Sequence, residues 1–408
     1  MREKGLTPTG LDDPASTFEA FREAGNEMLL RLRTTVTSPN SRKILRTWGI
    51  IDAAKMIGTT APTLRKLETN EGKLGLPIRD TNNRRIYTLE RINKARDILK
   101  TRYRRPLDSS PMIVSITNFK GGSAKTTTAA HLAQKCAVDG LRVLFIDFDP
   151  QATSTFIAGG IIPDLELDEE DTIDYTLLRD PSYIQNVIRP THFHGLDLIP
   201  ANLALQNLEL ALPNNKINYS DTLGNPATRL KNSLDYVKDQ YDVILIDCGP
   251  NLGILTINAL LASNGLIIPI PPNMFDYASF IMLTGTLEKL YEALKGQRLD
   301  FFRVLLTKHS GSNESIQVEN MLRTQFGGYI LANHMCNTVE IEKATNDLGT
   351  VYEISKPRGA REAYRRGLHH LDAVNGEIIN YFKDIWSKQS KENFNNSTIT
   401  DGARINVE

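Results

Sequence analysis

Cysteine is scarce in this 408-residue sequence, and Cys136, Cys248 and Cys336 lie far apart. They form no CxxC pair, which argues against a zinc or iron–sulfur site and fits reduced thiols in a cytoplasm. No apolar run approaches the roughly 18–20 residues of a membrane span, so no membrane partner is expected. The first seventeen residues are polar and mixed in charge, which does not predict a secretory signal.

A net charge of one sign is also missing, because 48 Lys and Arg residues balance 48 Asp and Glu residues. The distribution is nevertheless uneven. Residues 1–110 contain 22 basic and 13 acidic side chains, and the remainder has an equal acidic excess. A basic N-terminal region either contacts a polyanion or is a solvated basic surface.

Hydropathy divides the chain into an N-terminal arm, a small domain, a large domain and a tail, without internal repeats. The arm contains a predicted helix at 16–36 with one apolar face, which its own domain or a second subunit must bury. In the second case the arm is a dimerisation arm. The predicted parts are the arm 1–42, a basic domain 43–105, a Pro/Ser linker 106–111, the large domain 112–387 and a polar tail 388–408 expected to be disordered.

From residue 112 onward, short apolar runs alternate with helical segments. This alternation is typical of the α/β class and predicts a mostly parallel, twisted sheet with helices on both faces. The predicted strands are Met112–Thr117, Arg142–Asp147, Leu196–Pro200, Asp242–Asp247, Leu266–Ile270 and Phe302–Thr307.

A glycine-rich motif, KGGSAKTT, follows the first of these strands and precedes a predicted helix. Glycines let backbone N–H groups face an anion, and the helix N-terminus adds a positive dipole end. Lys125 is expected to reach the β- and γ-phosphates, and Thr126 to offer its hydroxyl to Mg²⁺. Phe119 and Ala124 depart from GxxxxGK[ST], and the motif instead fits the deviant form KGGxxK[ST][ST]. The predicted nucleotide-binding residues are Lys120, Gly121, Gly122, Ser123, Ala124, Lys125, Thr126 and Thr127.

Two further strands end in carboxylates. Asp147 and Asp149 close the second predicted strand, at the edge where open α/β sheets bind ligands. Asp149 is the candidate for orienting or deprotonating an attacking water, and Asp147 for supporting Mg²⁺ through water. Asp247 ends a run of four apolar residues, as a Walker B carboxylate that holds the Mg²⁺ hydration shell does.

At these residues the chain resembles the ParA/MinD family of deviant Walker ATPases. Within that family it is similar to the large ParA/SopA-like plasmid-partition type with an N-terminal DNA-binding domain. The resemblance covers about residues 45–385. It rests on KGGSAKTTTAAHLA, FIDFDPQATST, YDVILIDCGPNLG, IPIPPNMFDYAS and RVLLTKHSGSNES, with Ser123-Ala124 standing where many members have Val-Gly.

The resemblance implies a slow, Mg²⁺-dependent ATPase that acts as a switch. ATP closes a sandwich homodimer in which the signature lysine, Lys120, reaches the nucleotide of the facing subunit. The dimer coats non-specific nucleoid DNA, and a ParB-like centromere-binding protein stimulates hydrolysis and releases it. The implied location is cytoplasmic and nucleoid-associated.

The basic domain has the pattern of a winged helix-turn-helix, similar to MerR-like readers. Gly58 permits a turn, Thr60 caps the second helix, and a hairpin wing follows with its tip at Asp80–Asn83. The alternative is a small helical cap over the ATPase. By resemblance the domain binds and represses the partition promoter, best in the apo or ADP form. The candidate DNA contacts are Thr60, Thr63, Arg65, Lys66, Arg84 and Arg85.

Other candidates rest on less specific patterns. Lys308 and Asn337 follow strands at the carboxyl edge and are candidates for contacts with adenine. Arg358, Arg361 and Arg365 have near-helical spacing and form either a surface for nucleoid DNA or a solvated helix face.

Three rival functions use the same motifs. A MinD-like cell-division ATPase needs a lipid-binding C-terminal helix, for which the polar tail is a poor match. An iron-protein-like reductase needs cysteines placed to hold a cluster. A transcription factor with a vestigial ATP site is disfavoured by intact Lys125, Thr126, Asp149 and Asp247.

Overall fold

The computed structural model describes residues 14–36, 43–69, 72–213, 223–293, 297–346, 349–354 and 361–404. The chain divides into two compact units, Met1–Ile44 and Leu45–Glu408. The first contains helix α1 (Pro14–Val36), at the place predicted for the arm. Its apolar residues Phe18 and Phe21 are 66% and 54% exposed, so α1 carries an apolar face on its surface.

The second unit begins with a small helical region. Gly58 ends its first helix in the left-handed conformation (φ 76°), and Thr60 caps the next helix by accepting a hydrogen bond from the Thr63 N–H at 3.4 Å. Both features lie where the sequence predicts them. The elements are β1 (Trp48–Gly49), α2 (Ile50–Ile57), α3 (Ala61–Leu67), β2 (Ile86–Tyr87) and α4 (Leu89–Leu99).

A hairpin connects α3 to β2. Arg79 and Arg85 form an antiparallel bridge, and the Asp80 carboxylate accepts hydrogen bonds from the N–H groups of Asn82 and Arg84. Asn83 adopts φ 61°, a conformation that asparagine tolerates in tight turns. The hairpin tip therefore coincides with the predicted one.

A sheet of seven strands organises the rest of the described chain. The strand order is β5-β6-β4-β7-β3-β8-β9, and every neighbouring pair is parallel except β5–β6. The prediction of a mostly parallel sheet is confirmed, and the two-residue edge strand β5 is too short to leave a pattern. The strands are β3 (Met112–Ile116), β4 (Val143–Phe148), β5 (Arg189–Pro190), β6 (Leu196–Ile199), β7 (Val243–Cys248), β8 (Gly265–Ile270) and β9 (Phe301–Leu306).

Helices cover both faces of this sheet. Successive residues of a buried strand point to opposite faces, so apolar side chains on both faces need covering. Val143 and Phe145 join the core on one side, and Leu144 and Ile146 join the core on the other. The helices of this part are α5 (Lys125–Val138), α6 (Pro163–Glu166), α7 (Ile173–Leu178), α8 (Ile184–Val187), α9 (Leu205–Ala211), α10 (Arg229–Leu234), α11 (Ile254–Ala262), α12 (Met274–Ala293), α13 (Asn313–Phe326), α14 (Val339–Asn346) and α15 (Arg361–Arg404).

The core on the α5 side continues into the small N-terminal region. Ile57, Leu64 and Ile92 belong to the same buried apolar cluster as Leu132 of α5 and Phe382 of α15. Residues 45–105 are therefore packed against the sheet-bearing part rather than held only through the segment 106–111.

The tail differs from its predicted disorder, because α15 continues to Arg404. Trp386 is fully buried and donates its indole N–H to the Ser110 carbonyl at 2.9 Å. Ser390 lies one turn after Trp386 and Asn393 two turns after it, and both donate hydrogen bonds to Asp108. Polar side chains of the tail thus have partners in the segment 106–111 that composition alone could not reveal.

No helix in the described ranges combines the length and apolar character that crossing a membrane requires.

Candidate nucleotide-binding site

The predicted phosphate loop lies between β3, which neighbours the central strand β7, and the start of α5. Gly122 has φ 77° and Ala124 has φ 69°, so the backbone turns twice into the left-handed region before the helix begins. Glycine adopts this conformation freely, whereas an alanine pays about 1 kcal/mol or more for it. Ala124, which departs from the GxxxxGK[ST] pattern, therefore carries local strain.

Lys125 opens α5 and is largely enclosed, with 7% of its surface exposed. Its ammonium donates a hydrogen bond to the Lys120 carbonyl at 3.2 Å. Burial lowers the pKa of Lys125, and the negative charges of Asp247 and Asp149 act in the opposite direction. The loop thus holds a cation beside the two predicted carboxylates.

Asp147 and Asp247 are neighbours across β4 and β7, paired in register and fully buried. Burial raises the pKa of both carboxyl groups, and for Asp147 the charge of Asp247 adds to this effect. The Asp247 Oδ2 atom accepts a hydrogen bond from Ser154 at 2.7 Å. Its Oδ1 atom is buried and accepts no hydrogen bond that meets normal geometry among the described residues. The nearby Thr126 hydroxyl lowers the pKa of the Asp247 carboxyl group and so acts against the effect of burial.

The carboxylate of Asp147 is occupied differently. Its Oδ2 accepts hydrogen bonds from the Thr155 N–H and hydroxyl, each at 2.7 Å, and its Oδ1 accepts one from the Asp149 N–H at 3.3 Å. Thr155 begins a short π-helix (Thr155–Gly159) and its hydroxyl oxygen also accepts from the Ala201 N–H. This geometry makes Asp147 an anchor for residues 149–155, and its predicted support of Mg²⁺ through water stays a prediction.

Asp149 lies at the mouth of the site, half-buried after β4. Its Oδ1 accepts a hydrogen bond from the Gln151 N–H at 3.0 Å, and the carboxylate stands against the backbone of Gly249. The loops after β4 and β7 therefore meet at Asp149, and its catalytic role stays a prediction.

Lys120 does not share the enclosure of Lys125. Its ammonium lies 2.9 Å from the Asp276 Oδ1 atom, at the start of α12 in the same chain. Asp276 is itself 5% exposed and is bound by Asn273. The lysine that the resemblance assigns to the facing subunit is thus paired within its own chain in this structure.

A cavity of about 360 Å³ adjoins the end of the phosphate loop. Lys308 and Asn337 both line it, so the structure brings the two predicted adenine contacts to one place. Sequence reasoning missed the wall that α14 contributes, because the sequence of this helix carries no nucleotide-binding motif. The further lining residues are Ala124, Thr127, Met335, Cys336, Thr338, Ile341, Glu342 and Thr345.

His309, Glu319 and His334 form a polar cluster next to this cavity. The His309 Nδ1 accepts the Gly311 N–H at 3.1 Å, which leaves the ring proton on Nε2, 2.9 Å from Glu319. His334 stacks on His309 with ring centroids 4.2 Å apart, and Arg323 bonds the other Glu319 oxygen. This arrangement ties the segment after β9 to the cavity wall and leaves no lone pair on His309 Nε2 for a metal ion.

The candidate DNA contacts of the small region are unequal. Arg65, Lys66 and Arg84 are exposed, whereas Thr60 and Thr63 bond to one another across the first turn of α3. Arg85 instead pairs with the buried carboxylate of Glu68 at 3.0 Å. Its guanidinium therefore serves the interior of the region, which weakens its assignment as a phosphate contact.

Arg361 and Arg365 lie exposed on the first turns of α15. Arg366, His369 and His370 join them on one shallow surface, an extension that sequence spacing did not single out. Arg358 lies outside the described residues.

Comparisons with known proteins agree with this geometry. Residues 111–300 match the family model described as an AAA domain. Protein SopA of Escherichia coli K12 is 37% identical over 376 residues, which cover 89% of this chain and 96% of that protein. A solved structure described as a partition protein aligns over 91% of this chain and 99% of its own, with a TM-score of 0.62 and 20% identity. An ATP complex of a Cyanothece McdA variant aligns over 66% of this chain and 97% of its own (TM-score 0.53, 20% identity).

A parallel sheet, a glycine-rich loop with an enclosed lysine and a carboxylate at a strand end together define a P-loop NTPase. The second lysine at the start of the loop, Lys120, places the chain in the deviant Walker class. Within that class, the near full-length match to SopA decides the family. The chain belongs to the ParA/SopA-like plasmid-partition ATPases.

Proposed function

We propose that this protein is a nucleotide switch for DNA partition that binds ATP with Mg²⁺, dimerises on ATP and hydrolyses it slowly. The observation that carries the proposal is the assembly of Lys125, Asp149 and Asp247 around the strained loop at the end of β3. The full-length similarity to SopA supports the partition role.

Lys125 is the group that meets the phosphates. Its present hydrogen bond to the Lys120 carbonyl keeps the ammonium inside the loop, so little side-chain entropy remains to be lost on binding. Burial that disfavours its charge makes the arrival of an anion more favourable. The adenine fits the cavity lined by Lys308 and Asn337.

Thr126 and Asp247 suit a hard cation, since hydroxyl and carboxylate oxygens are what Mg²⁺ prefers. The buried Oδ1 of Asp247, which accepts no hydrogen bond that meets normal geometry among the described residues, is the atom that fits such an ion or its water shell. Bound there, Mg²⁺ would neutralise charge on the β- and γ-phosphates. Asp147 fits this role less well, because its oxygens already bind Thr155 and Asp149.

Asp149 orients or deprotonates the attacking water. Its backbone N–H is fixed by Asp147 and its carboxylate by Gln151, so the group is held in place before a nucleotide arrives. Lys120 acts in the facing subunit of a homodimer, and it must first leave Asp276. That exchange makes dimerisation dependent on a nucleotide able to compete for the lysine.

DNA is the second ligand in this proposal. The exposed Arg65, Lys66 and Arg84 suit promoter or operator DNA, and the basic start of α15 suits phosphate contacts with non-specific nucleoid DNA. A ParB-like centromere-binding protein is the expected stimulator of hydrolysis. Nucleoid association follows from the non-specific contacts.

The decisive experiment measures binding of wild type and Lys125→Ala to promoter DNA and to random DNA, each with ADP and with ATP. We expect promoter binding with ADP and ATP-dependent binding to random DNA in wild type. Lys125→Ala should lose at least about tenfold in ATP affinity, because a charge-assisted contact is removed, and with it the binding to random DNA.

Lys120→Ala serves as the matched variant in the same experiment. It should keep ATP binding, because its side chain points to Asp276, and yet fail to form ATP-dependent dimers in light scattering. Wild type that ignores nucleotide on both DNAs would remove the switch. Normal ATP-driven dimers of Lys120→Ala would remove the role of Lys120 across the dimer.

A further inference from the structure

Helix α5 runs from the phosphate loop to a contact with two arginines of the small N-terminal region. Its N-terminus begins at Lys125 in the phosphate loop, and its last residue is Val138. The Val138 carbonyl accepts a hydrogen bond from Arg96 at 2.8 Å, and the Gly140 carbonyl accepts one from Arg102 at 2.7 Å. These carbonyls have no partner within the helix, so guanidinium groups from the small N-terminal region satisfy them.

Arg96 holds a second helix end at the same time. Its Nε and one terminal nitrogen donate to the Met56 carbonyl at 3.2 and 2.9 Å, in the last turn of α2. The nitrogen that reaches Val138 also bonds the Asn93 side chain at 2.7 Å. Arg96 is 5% exposed, so one buried, planar group connects the end of α5 to the turn that leads into α3.

The fit around these arginines is close. Gly140 has φ 98°, and a Cβ atom at this position would lie 3.1 Å from an Arg96 nitrogen and 3.3 Å from the Arg102 Cγ. Asn93, on the same helix as Arg96, bonds His194 at 3.0 Å, just before β6. These contacts leave no gap between the end of α5 and the small region, so a displacement of one is expected to reach the other.

Charge favours the same linkage. A helix carries partial positive charge at its N-terminus and partial negative charge at its C-terminus. The proposed triphosphate site lies at the first end of α5, and the two guanidinium groups lie at the second. Fourteen residues of helix separate them, which is roughly 21 Å of rigid backbone.

We propose that α5 acts as a lever between the nucleotide site and the DNA-reading helix α3, with Arg96 as the joint and Arg102 as its support. This inference rests on the proposed function. Nucleotide binding repositions the start of α5, and Arg96 passes the movement through the Met56 carbonyl to the turn at Gly58 and to α3. Affinity for promoter DNA then depends on the nucleotide.

The test compares full-length wild type with Arg96→Lys, Arg102→Met and the control Arg104→Met. Lysine keeps the charge of Arg96 but cannot bond two carbonyls in the fixed geometry of a guanidinium. Arg104 pairs with Asp97, as Arg102 does, but is 43% exposed. Two quantities are measured for each protein: promoter affinity with ADP and with a non-hydrolysable ATP analogue, and hydrogen exchange of residues 50–67 in the same two states.

We expect the promoter affinity of wild type to differ by about tenfold between the two nucleotides, within the usual range for coupled sites. Arg96→Lys and Arg102→Met should reduce this ratio to about twofold or less while the affinity for nucleotide stays unchanged. Arg104→Met should keep the wild-type ratio. Hydrogen exchange at 50–67 should respond to nucleotide in wild type and in the control only.

A wild-type ratio of promoter affinities in both Arg96→Lys and Arg102→Met would overturn the lever and leave the proposed function intact. The lever would also be overturned by a wild type that binds random DNA only with ATP but shows the same hydrogen exchange at 50–67 with both nucleotides. A wild type without nucleotide-dependent DNA binding of any kind would contradict the proposed function itself, and the lever with it.

Discussion

The carboxyl edge of the sheet and the small region 45–105 differ in the exposure of their candidate functional groups, which are mostly buried at the edge and mostly exposed in the small region. At the edge, Asp147 and Asp247 are fully buried, and Lys125 is nearly so. In the small region, Arg65 and Lys66 are exposed, and the buried charges, such as Glu68, hold the region together.

This difference explains why the amino-acid sequence marks the nucleotide site more clearly than the DNA-contact surface. A buried charged site must satisfy each polar atom, so its residue types and spacing are tightly constrained. A surface that contacts DNA phosphates needs only positive charge in roughly the right place. Substitutions at the edge should therefore alter ATP hydrolysis. In the small region, substitutions of buried charges should alter stability, and substitutions of exposed charges should alter DNA binding.

Asp149→Asn should show the largest effect. Asparagine keeps the hydrogen bond from Gln151 but cannot accept a proton, so partner-stimulated ATP hydrolysis should fall by about a hundredfold or more. ATP binding and ATP-driven dimerisation should remain, which fluorescent-nucleotide titration and light scattering measure. Undiminished turnover would move the catalytic role to another residue.

Glu68→Gln should destabilise the small region by about 2 kcal/mol, because the buried carboxylate pairs with Arg85 and Arg91. Native-state hydrogen exchange of α3 and α4 measures this local free energy of opening. Asp97→Asn is the control, since that carboxylate is 47% exposed and its two ion pairs should contribute under about 1 kcal/mol. Equal effects of the two variants would contradict the contrast between buried and exposed charge.

Arg65→Ala should leave the stability of the small region unchanged and weaken promoter binding by about 1–3 kcal/mol if Arg65 contacts base edges. The matched control is Lys55→Ala, which removes another exposed cation, on α2. Fluorescence anisotropy over a range of salt concentrations separates a specific contact from a general loss of charge. Identical losses for both variants would leave α3 without a special role in reading DNA.

Ala124→Gly should have the smallest effect and the opposite sign. Glycine relieves the strain of φ 69°, so the free energy of unfolding should rise by up to about 1 kcal/mol. Thermal unfolding of the two proteins measures the change, and Ala129→Gly inside α5 provides a control that should destabilise. A destabilised Ala124→Gly would mean that the left-handed backbone at this position costs alanine nothing.

Much of the nucleotide edge could be predicted, because phosphate binding draws on neighbouring residues of one loop. The six parallel strands and the phosphate loop lie where periodicity and motif place them. The wall of the cavity beside the phosphate loop could not be predicted, since α14 reaches it through tertiary packing more than two hundred residues away from Ala124. The different hydrogen bonding of Asp147 and Asp247 also depended on Thr155 and Ser154, which donate to particular carboxylate oxygens.

The amino-acid sequence by itself determined the β-then-α order, the strand-end carboxylates and the bend of the phosphate loop, because these depend on local periodicity and backbone preference. Tertiary structure alone decided that Lys120 rests on Asp276, that the tail continues as helix against residues 108–110, and that Arg96 joins α2 to α5. Each of these is a contact between residues distant along the chain, and only the folded backbone brings such partners within hydrogen-bond distance.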